Sequence, residues 1–226
     1  MPDLPPHLIA ALTGFLAGLA LCLPVGPVNL TILNEGARRG FKWAALIGAG
    51  AACMEVIYCA VAFTGFAAFF EKGAIKSVME VFSFAFLLFL GVRFVMVKSV
   101  PMVEKFEERF EERIEQKLHP HSAFMTGFVR TLANPGVLLG WIILGANFIS
   151  RGWVEPNWEG KLSCLAGVTV SVGLWFTGLS WAISLGHKKF TEKTMVKMER
   201  LSGVSLIVLA LIQGGYIALR LAKHKM

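Results

Sequence analysis

An uncharged stretch from Leu8 to Leu33 is interrupted by two prolines, in the run Pro24-Val25-Gly26-Pro27. The stretch is long enough to cross a bilayer as a helix. Proline lacks the N–H that the helical hydrogen-bond ladder needs, and its ring clashes with the preceding turn. In hydrocarbon an unpaired backbone group is costly, so a broken span needs protein or a water-lined cavity to receive the freed groups. The double break therefore predicts a binding site within the membrane, a plan that transporters often use.

Low charge and long apolar runs indicate the class of protein. Only 16% of the 226 residues are charged, against about 25% in soluble domains. Runs of 18 or more apolar residues predict transmembrane helices, and we find such runs at residues 8–33, 43–70, 78–97, 123–149, 162–185 and 201–219. We therefore expect an all-α integral membrane protein with six transmembrane helices and a single transmembrane domain, residues 1–226. No Lys or Arg precedes the first run, whereas a secretory signal has a basic start, so the first span is expected to be retained.

The basic residues predict a topology. Loops 34–42, 98–122 and 187–200 carry more Lys and Arg than the N-terminus, the other two loops and the C-terminal tail together. The positive-inside rule then predicts that these three loops are cytoplasmic and that both termini lie outside. Lipid headgroups and topology account for the net charge of +7, so the charge does not indicate a nucleic-acid partner.

The long third loop divides the chain into two three-helix halves, residues 8–97 and 123–222. Within the linker 98–122, residues 101–118 carry apolar side chains every four residues. This pattern predicts an amphipathic helix that rests on the cytoplasmic interface or binds a partner. Three spans per half is an odd number, so the second half enters the membrane from the opposite side. We expect an inverted repeat, with a substrate site at the repeat interface near the midplane.

Glu55 is the only acidic residue deep inside a predicted span. An ionisable group there costs at least ~2.5–3.5 kcal/mol and marks a functional site by default. We expect Glu55 to bind a substrate ammonium group, to carry a proton, or to do both in alternation. A permanent ion pair with Arg130 or Arg93 is the structural alternative.

Helix-breaking and polar residues from both halves are expected near Glu55. Asn134-Pro135-Gly136 would open span four as Pro24 and Pro27 open span one. Counted along the helices from one side, the breaks and Glu55 lie at similar depths of about 14 to 20 Å. Freed carbonyls and half-helix N-termini can hold opposite ends of a zwitterion, whereas packing kinks are the alternative. The predicted substrate or coupling site comprises Pro24, Gly26, Pro27, Asn29, Glu55, Arg130, Asn134 and Pro135.

Two arginines lie within predicted spans. Arg130 is about two turns into span four, where three roles stay open: contact with a substrate carboxylate, a pair with Glu55, or snorkelling to the cytoplasmic surface. Arg93 lies near the cytoplasmic end of span three. Snorkelling is the role we expect for Arg93.

The remaining motifs mostly exclude functions. Four cysteines lie within spans without a Cys-x-x-Cys pattern, so we expect small apolar fillers rather than metal ligands or disulfides: Cys22, Cys53, Cys59 and Cys164. No phosphate-binding Gly-x4-Gly-Lys motif, nucleophile elbow or metal-ligand cluster occurs in the sequence. We expect neither an enzyme nor a bound cofactor. The glycine- and alanine-rich run 48–52 suits close helix packing or a homodimer face.

Several patches of the sequence resemble one family. Residues 14–19 (Gly-Phe-Leu-Ala-Gly-Leu), 24–29 (Pro-Val-Gly-Pro-Val-Asn) and 35–40 (Glu-Gly-Ala-Arg-Arg-Gly) look like the first span and loop of the lysine exporter (LysE) and homoserine/threonine exporter (RhtB) family. Glu55 stands where that family usually has Asp, and Asn134-Pro135 matches its Asn-Pro in span four, although Gly136 replaces a frequent Lys. The resemblance implies efflux of amino acids or similar small solutes across the bacterial inner membrane, driven by an ion gradient.

Our first hypothesis is a secondary exporter of an amino acid or related metabolite, in which Glu55 couples the substrate to protons. A divalent-cation exporter that uses the same cavity is the second, because a carboxylate, an amide and backbone carbonyls suit a hard cation. A non-transporting membrane scaffold, with residues 101–118 as its docking element, is the third.

Overall fold

The computed structural model describes residues 4–24, 26–66, 73–96, 122–185 and 192–223. Every regular element in these ranges is a helix. A helix satisfies its own backbone hydrogen bonds in hydrocarbon, and the expected all-α class is confirmed. The predicted amphipathic segment 101–118 lies outside the described residues.

Four α-helices are described in the first half of the chain. Helix α1 spans Pro6–Cys22 and α2 spans Pro27–Arg39, and their axes differ by 72°. Helix α3 spans Phe41–Val61 and continues as one π-helical turn, Ala62–Phe66. Helix α4 spans Gly73–Val95. Pro27 is the first residue of α2, a position that proline favours because the N–H it lacks would have no helical partner.

The second half of the described chain repeats this pattern. Helix α5 spans Ala123–Leu132 and α6 spans Pro135–Ser150, with axes 64° apart. Helix α7 spans Trp158–Ser184 and α8 spans Glu192–Lys223. Like α2, α6 starts with a proline, so both predicted breaks separate two helices.

The described helices meet the criteria for a membrane span in two ways. Residues Phe41–Thr64 and helix α7 are each long and apolar enough alone, and each of the two bent pairs qualifies as one further candidate. That makes up to four candidate spans among the described residues. Helices α4 and α8 cover the predicted spans 78–97 and 201–219 without qualifying, so the number of six spans stays a prediction.

Two of the predicted loops are largely helical, which corrects our prediction. Helix α2 continues to Arg39 and α3 begins at Phe41, so loop 34–42 reduces to Gly40, whose φ of 82° suits glycine. Glu35 pairs with Arg38 at 3.8 Å and with Arg39 at 3.0 Å, contacts that support this last helical turn. Loop 187–200 is likewise helical from Glu192 onward. A change in hydropathy indicates where a helix leaves the membrane. It does not indicate where the helix ends, because polar residues also form helices.

Helices of the two halves pack closely against each other. Helix α1 packs along α7, and a Cβ on Gly14 would overlap the carbonyl oxygen of Cys164. On the same interface, a Cβ on Gly167 would overlap the carbonyl oxygen of Ala11. Glycine is needed at both points because the backbones nearly touch.

A second interface has the same design. Helix α5 packs along α3, and a Cβ on Gly127 would overlap the carbonyl oxygen of Ile47. A Cβ on Gly50 would overlap the carbonyl oxygen of Phe124. The two broken helices are therefore each held by a helix from the other half of the chain.

Helices α4 and α8 form the third interface between the halves. Here Gly91 faces Gly203, and a Cβ on either one would lie within 3 Å of the other's carbonyl oxygen, at 2.9 and 2.7 Å. Together the three interfaces surround the region where α1 and α5 end.

Candidate functional site

Glu55 lies in the second half of α3, with only 4% of its surface exposed. The indole N–H of Trp141, on α6, donates a hydrogen bond of 2.5 Å to Oε2. The thiol of Cys22, at the end of α1, donates to Oε1 at 4.0 Å. Among the described residues no ion pair involves Glu55. The carboxyl group is thus held by neutral donors from both broken helices.

The break between α1 and α2 is closed by Asn29. Its side-chain amide donates to the carbonyl oxygens of Cys22 at 2.9 Å and Pro24 at 2.6 Å. These carbonyls lie where helix α1 has ended and has no further N–H to offer. The indole N–H of Trp175, on α7, donates to Oδ1 of Asn29 at 3.3 Å. Both N–H groups of the Asn29 amide are therefore committed to the backbone in this conformation.

The break between α5 and α6 is closed by two different side chains. Asn134 is the N-cap of α6, and its Oδ1 accepts hydrogen bonds from the backbone N–H groups of Gly136 at 3.0 Å and Val137 at 3.2 Å. The hydroxyl of Tyr58, on α3, donates to the carbonyl oxygen of Leu132 at 2.6 Å. Asparagine at this position satisfies N–H groups that the helix cannot pair internally.

A cavity of about 160 Å³ lies beside Glu55, and all eight helices contribute to its wall. Its size is close to that of an engineered cavity of ~150 Å³ that binds benzene. Most of the wall is apolar, glycine or proline. The polar and charged residues of the wall are Cys22, Asn29, Glu55, Arg93, Thr131 and Asn134.

The structure brings six of the eight predicted site residues to this cavity. Pro24, Gly26 and Pro27 line it at the first break, together with Asn29, Glu55 and Asn134. Arg130 and Pro135 are not part of the wall. The guanidinium of Arg130 donates to the hydroxyl of Thr31 on α2, and Pro135 is exposed.

Sequence reasoning missed several residues of the site. Cys22 was expected to be an apolar filler and instead contacts the carboxyl of Glu55. Arg93, which we expected to snorkel, also lines the cavity. A usable signal existed for Arg93, since it follows Phe86 by seven residues and so shares its helix face. Trp141 gave no signal beyond the need of a buried indole N–H for an acceptor.

Thr131 adds an unsatisfied polar group to the cavity wall. Its side chain is 1% exposed, and its hydroxyl has no hydrogen-bond partner within the described chain. Leaving a buried hydroxyl unpaired costs about 1–3 kcal/mol. A polar guest in the cavity would recover this energy.

The polar groups of the cavity wall can bind a small ligand. The wall presents one carboxyl, one guanidinium, two amides, one hydroxyl and one thiol. Within the described ranges no group of three or more His, Cys, Asp and Glu side chains is arranged to hold a metal ion. One buried negative charge beside backbone dipoles suits an ammonium group or a proton.

Comparison with known proteins identifies relatives of the chain. A family model described as LysE type translocator matches residues 19–213. The chain is 25% identical over 191 residues to the Bacillus subtilis (strain 168) protein named "Putative amino acid efflux protein YcgF", across 84% of this chain and 88% of that protein. No solved structure matches significantly. The family resemblance that the sequence patches indicated is confirmed.

Proposed function

Because the chain belongs to the LysE type translocator family, we propose that it is a secondary active exporter of amino acids or related small metabolites, driven by the proton gradient. The observation that carries this proposal is Glu55, a buried carboxyl on the wall of a cavity between two broken helices. Intramembrane acids with this placement serve as ion and substrate sites in transporters. The similar Bacillus subtilis protein is named for amino acid efflux.

Glu55 would couple the substrate to protons by exchange at one carboxyl group. A buried carboxylate is costly unless its charge is compensated. A proton and a substrate ammonium group each compensate it, so they exclude one another. On the cytoplasmic side the substrate ammonium displaces the proton, and on the outside a proton displaces the substrate. Trp141 donates to the carboxyl throughout and keeps it oriented.

We propose a single transmembrane domain, residues 1–226, with six spans, inverted repeats 8–97 and 123–222, and the linker 98–122 between them. The glycine contacts support the repeat. Between α1 and α7, positions 14 and 11 approach positions 164 and 167, respectively. Between α5 and α3, positions 127 and 124 approach positions 47 and 50. On every one of these helices the two contact positions are three residues apart. Gly50 and Gly167 each lie nine residues after the start of their helix. The two interfaces therefore correspond position by position when the halves are exchanged, as an inverted repeat would require.

We place the protein in the bacterial inner membrane, with the α2–α3 joint in the cytoplasm and the α6–α7 connection outside. Two pairs of an arginine and a tryptophan support a membrane–water interface at each of these connections. The Arg39 guanidinium lies 4.7 Å above the Trp43 ring at the first connection, and the Arg151 guanidinium lies 4.9 Å above the Trp153 ring at the second. Tryptophan concentrates at membrane–water interfaces.

The test is efflux from proteoliposomes across an imposed pH gradient, with each radiolabelled amino acid loaded in turn. We expect gradient-driven efflux of at least one amino acid, and we expect Glu55→Gln to reduce it to the level of empty liposomes. Glu35→Gln is the matched control, because Glu35 forms only surface ion pairs with Arg38 and Arg39. This control should transport at the parent rate.

The other outcomes separate the alternatives. Equal transport by Glu55→Gln and the parent would refute the coupling role of Glu55. Movement of Mn²⁺ or Mg²⁺ without any amino acid would replace the proposal with a cation exporter. Movement of neither class would favour the membrane scaffold.

A further inference from the structure

The cavity beside Glu55 contains one further charged side chain, Arg93 of α4. Glu55 is buried, whereas Arg93 is exposed at the surface of the described chain. The cavity therefore carries opposite charges on two different helices, one at a buried part of its wall and one at an exposed part.

Helix geometry directs Arg93 toward the cavity. Phe86, Leu90 and Phe94 line the cavity together with Arg93. In chain order these four residues are separated by four, three and one positions, so they lie on one face of α4. Phe89 and Val92 lie off this face and are exposed. Arg93 thus belongs to the stripe of α4 that faces the cavity.

Arg130, the other arginine within a predicted span, does not face the cavity. Arg130 donates to Thr31 and does not line the cavity. A guanidinium presents a planar fork of donors that matches a carboxylate. Among the described residues of the wall, Arg93 is the group with this chemistry.

The size and lining of the cavity limit the ligand. A volume of about 160 Å³ is similar to the ~150 Å³ that accommodates the six carbon atoms of benzene. Small amino acids such as alanine, threonine and valine have six to eight heavy atoms, which is on the order of this size. Beyond Glu55 the described wall contains no second acid, so the distal ammonium of lysine would find no counter-charge.

We propose that Arg93 binds the carboxylate of a small neutral amino acid whose ammonium group is bound by Glu55. The apolar residues of the wall, including Phe86, Leu90 and Phe176, surround the substrate side chain. This inference rests on the proposed export function and specifies its substrate class. It also assigns to Arg93 a specificity role that its position in the sequence did not predict.

The test is ligand binding to the purified protein in detergent, measured as ligand-dependent thermal stabilisation. Three probes separate the two ends of the substrate: L-valine, isobutylamine, which lacks the carboxylate, and isovalerate, which lacks the ammonium group. Arg93→Gln should weaken L-valine binding by about 10- to 100-fold, the range expected for a charged hydrogen bond. The same variant should leave isobutylamine binding within about twofold of the parent, because that probe has no carboxylate.

Glu55→Gln should give the complementary pattern, weakening L-valine and isobutylamine but not isovalerate. Arg93→Lys should recover part of the L-valine affinity, because it keeps the charge and loses the fork. Arg38→Gln removes a largely exposed arginine whose carboxylate partner is Glu35, and it should bind every probe as the parent does. If Arg93→Gln fails to fold, Arg93→Lys replaces it in the test. The ratio of L-valine affinity to isobutylamine affinity should then be lower in Arg93→Lys than in the parent.

Two binding results would overturn the inference: unchanged L-valine binding by Arg93→Gln, or L-lysine binding as tightly as L-valine to the parent. Failure of the export proposal looks different. In that case L-valine binds with the predicted dependence on Arg93 and Glu55, but proteoliposomes do not move it. Parent-level L-valine efflux by Arg93→Gln would instead keep export and remove the role of Arg93.

Discussion

The two broken helices differ in how their open ends are closed. At the first break, Asn29 of α2 donates back to the carbonyl oxygens of Cys22 and Pro24, while Gly26 at the N-cap of α2 provides no side-chain acceptor. At the second break, Asn134 accepts from the N–H groups of α6, and Tyr58 donates to a carbonyl oxygen of α5. Side chains therefore satisfy carbonyl groups at the first break, and both carbonyl and N–H groups at the second.

This difference indicates different roles. An uncapped helix N-terminus carries a partial positive charge of roughly half an elementary charge. Gly26 and Pro27 line the cavity, so the uncapped end of α2 lies at its wall. The second break has its nearest N–H groups occupied by Asn134. We expect the first break to respond to ligands and the second to act as a fixed support.

The largest effect is predicted for Asn29→Ala. This change removes three hydrogen bonds and leaves the carbonyl oxygen of Cys22 and the indole N–H of Trp175 without these partners, while the carbonyl of Pro24 still accepts the N–H of Gly26. At about 1–3 kcal/mol per unsatisfied buried group, we expect a loss of about 2–4 kcal/mol in the free energy of unfolding. Unfolding by denaturant in detergent measures it. Asn34→Ala, an exposed asparagine on the same helix, is the control, and a loss for Asn29→Ala no greater than for this control would refute the closing role.

A smaller effect is predicted for Asn134→Ala. Loss of an N-cap costs about 1 kcal/mol, and Asn134→Ser should recover most of it because serine caps as well. Asn157→Ala provides a matched control, since Asn157 caps α7 away from the cavity and accepts from the N–H of Gly160 at 2.8 Å. The same unfolding measurement applies. A larger loss for Asn134→Ala than for Asn29→Ala would reverse the contrast between the two breaks.

The smallest effect is predicted for Tyr58→Phe. Only the hydroxyl is removed, and the hydrogen bond that it donates to the carbonyl oxygen of Leu132 is partly buried. We expect a loss of about 0.5–1 kcal/mol, within the range for a single hydrogen bond. Tyr58→Leu should cost more, since it also removes ring packing. If Tyr58→Phe proves as damaging as Asn29→Ala, the two breaks depend equally on tertiary donors.

Much of the fold could be predicted from the sequence. Pro24, Pro27 and Pro135 predict where helices must end and begin, because proline alters the backbone locally whatever surrounds it. Apolar runs likewise predict where helices lie. The limits of those helices were less predictable. Residues 34–39 and 192–200 are polar and helical, and polarity reports on solvent rather than on backbone conformation.

The site was predictable only in part. Glu55 was identified because an acid in an apolar span is costly in any fold. Asn29 was expected to contact substrate; it lies on the cavity wall with both amide N–H groups bonded to the backbone, and its contact with substrate stays a prediction. Trp141 was overlooked and Arg93 was not placed in the site, because their importance depends on which helix face meets the cavity. Contacts between residues 86 positions apart, such as Trp141 with Glu55, leave no local pattern.

The sequence by itself determined an all-helical membrane protein, two proline breaks, one intramembrane acid and membership of a translocator family. These features follow from backbone chemistry, from transfer energies and from motifs that lie within short segments. Only the tertiary structure decided that Arg93 rather than Arg130 shares the cavity with Glu55, and that Asn29 closes one break while Asn134 caps the other. The physical reason is that helix packing, set by glycine contacts between distant segments, decides which side chains face one another.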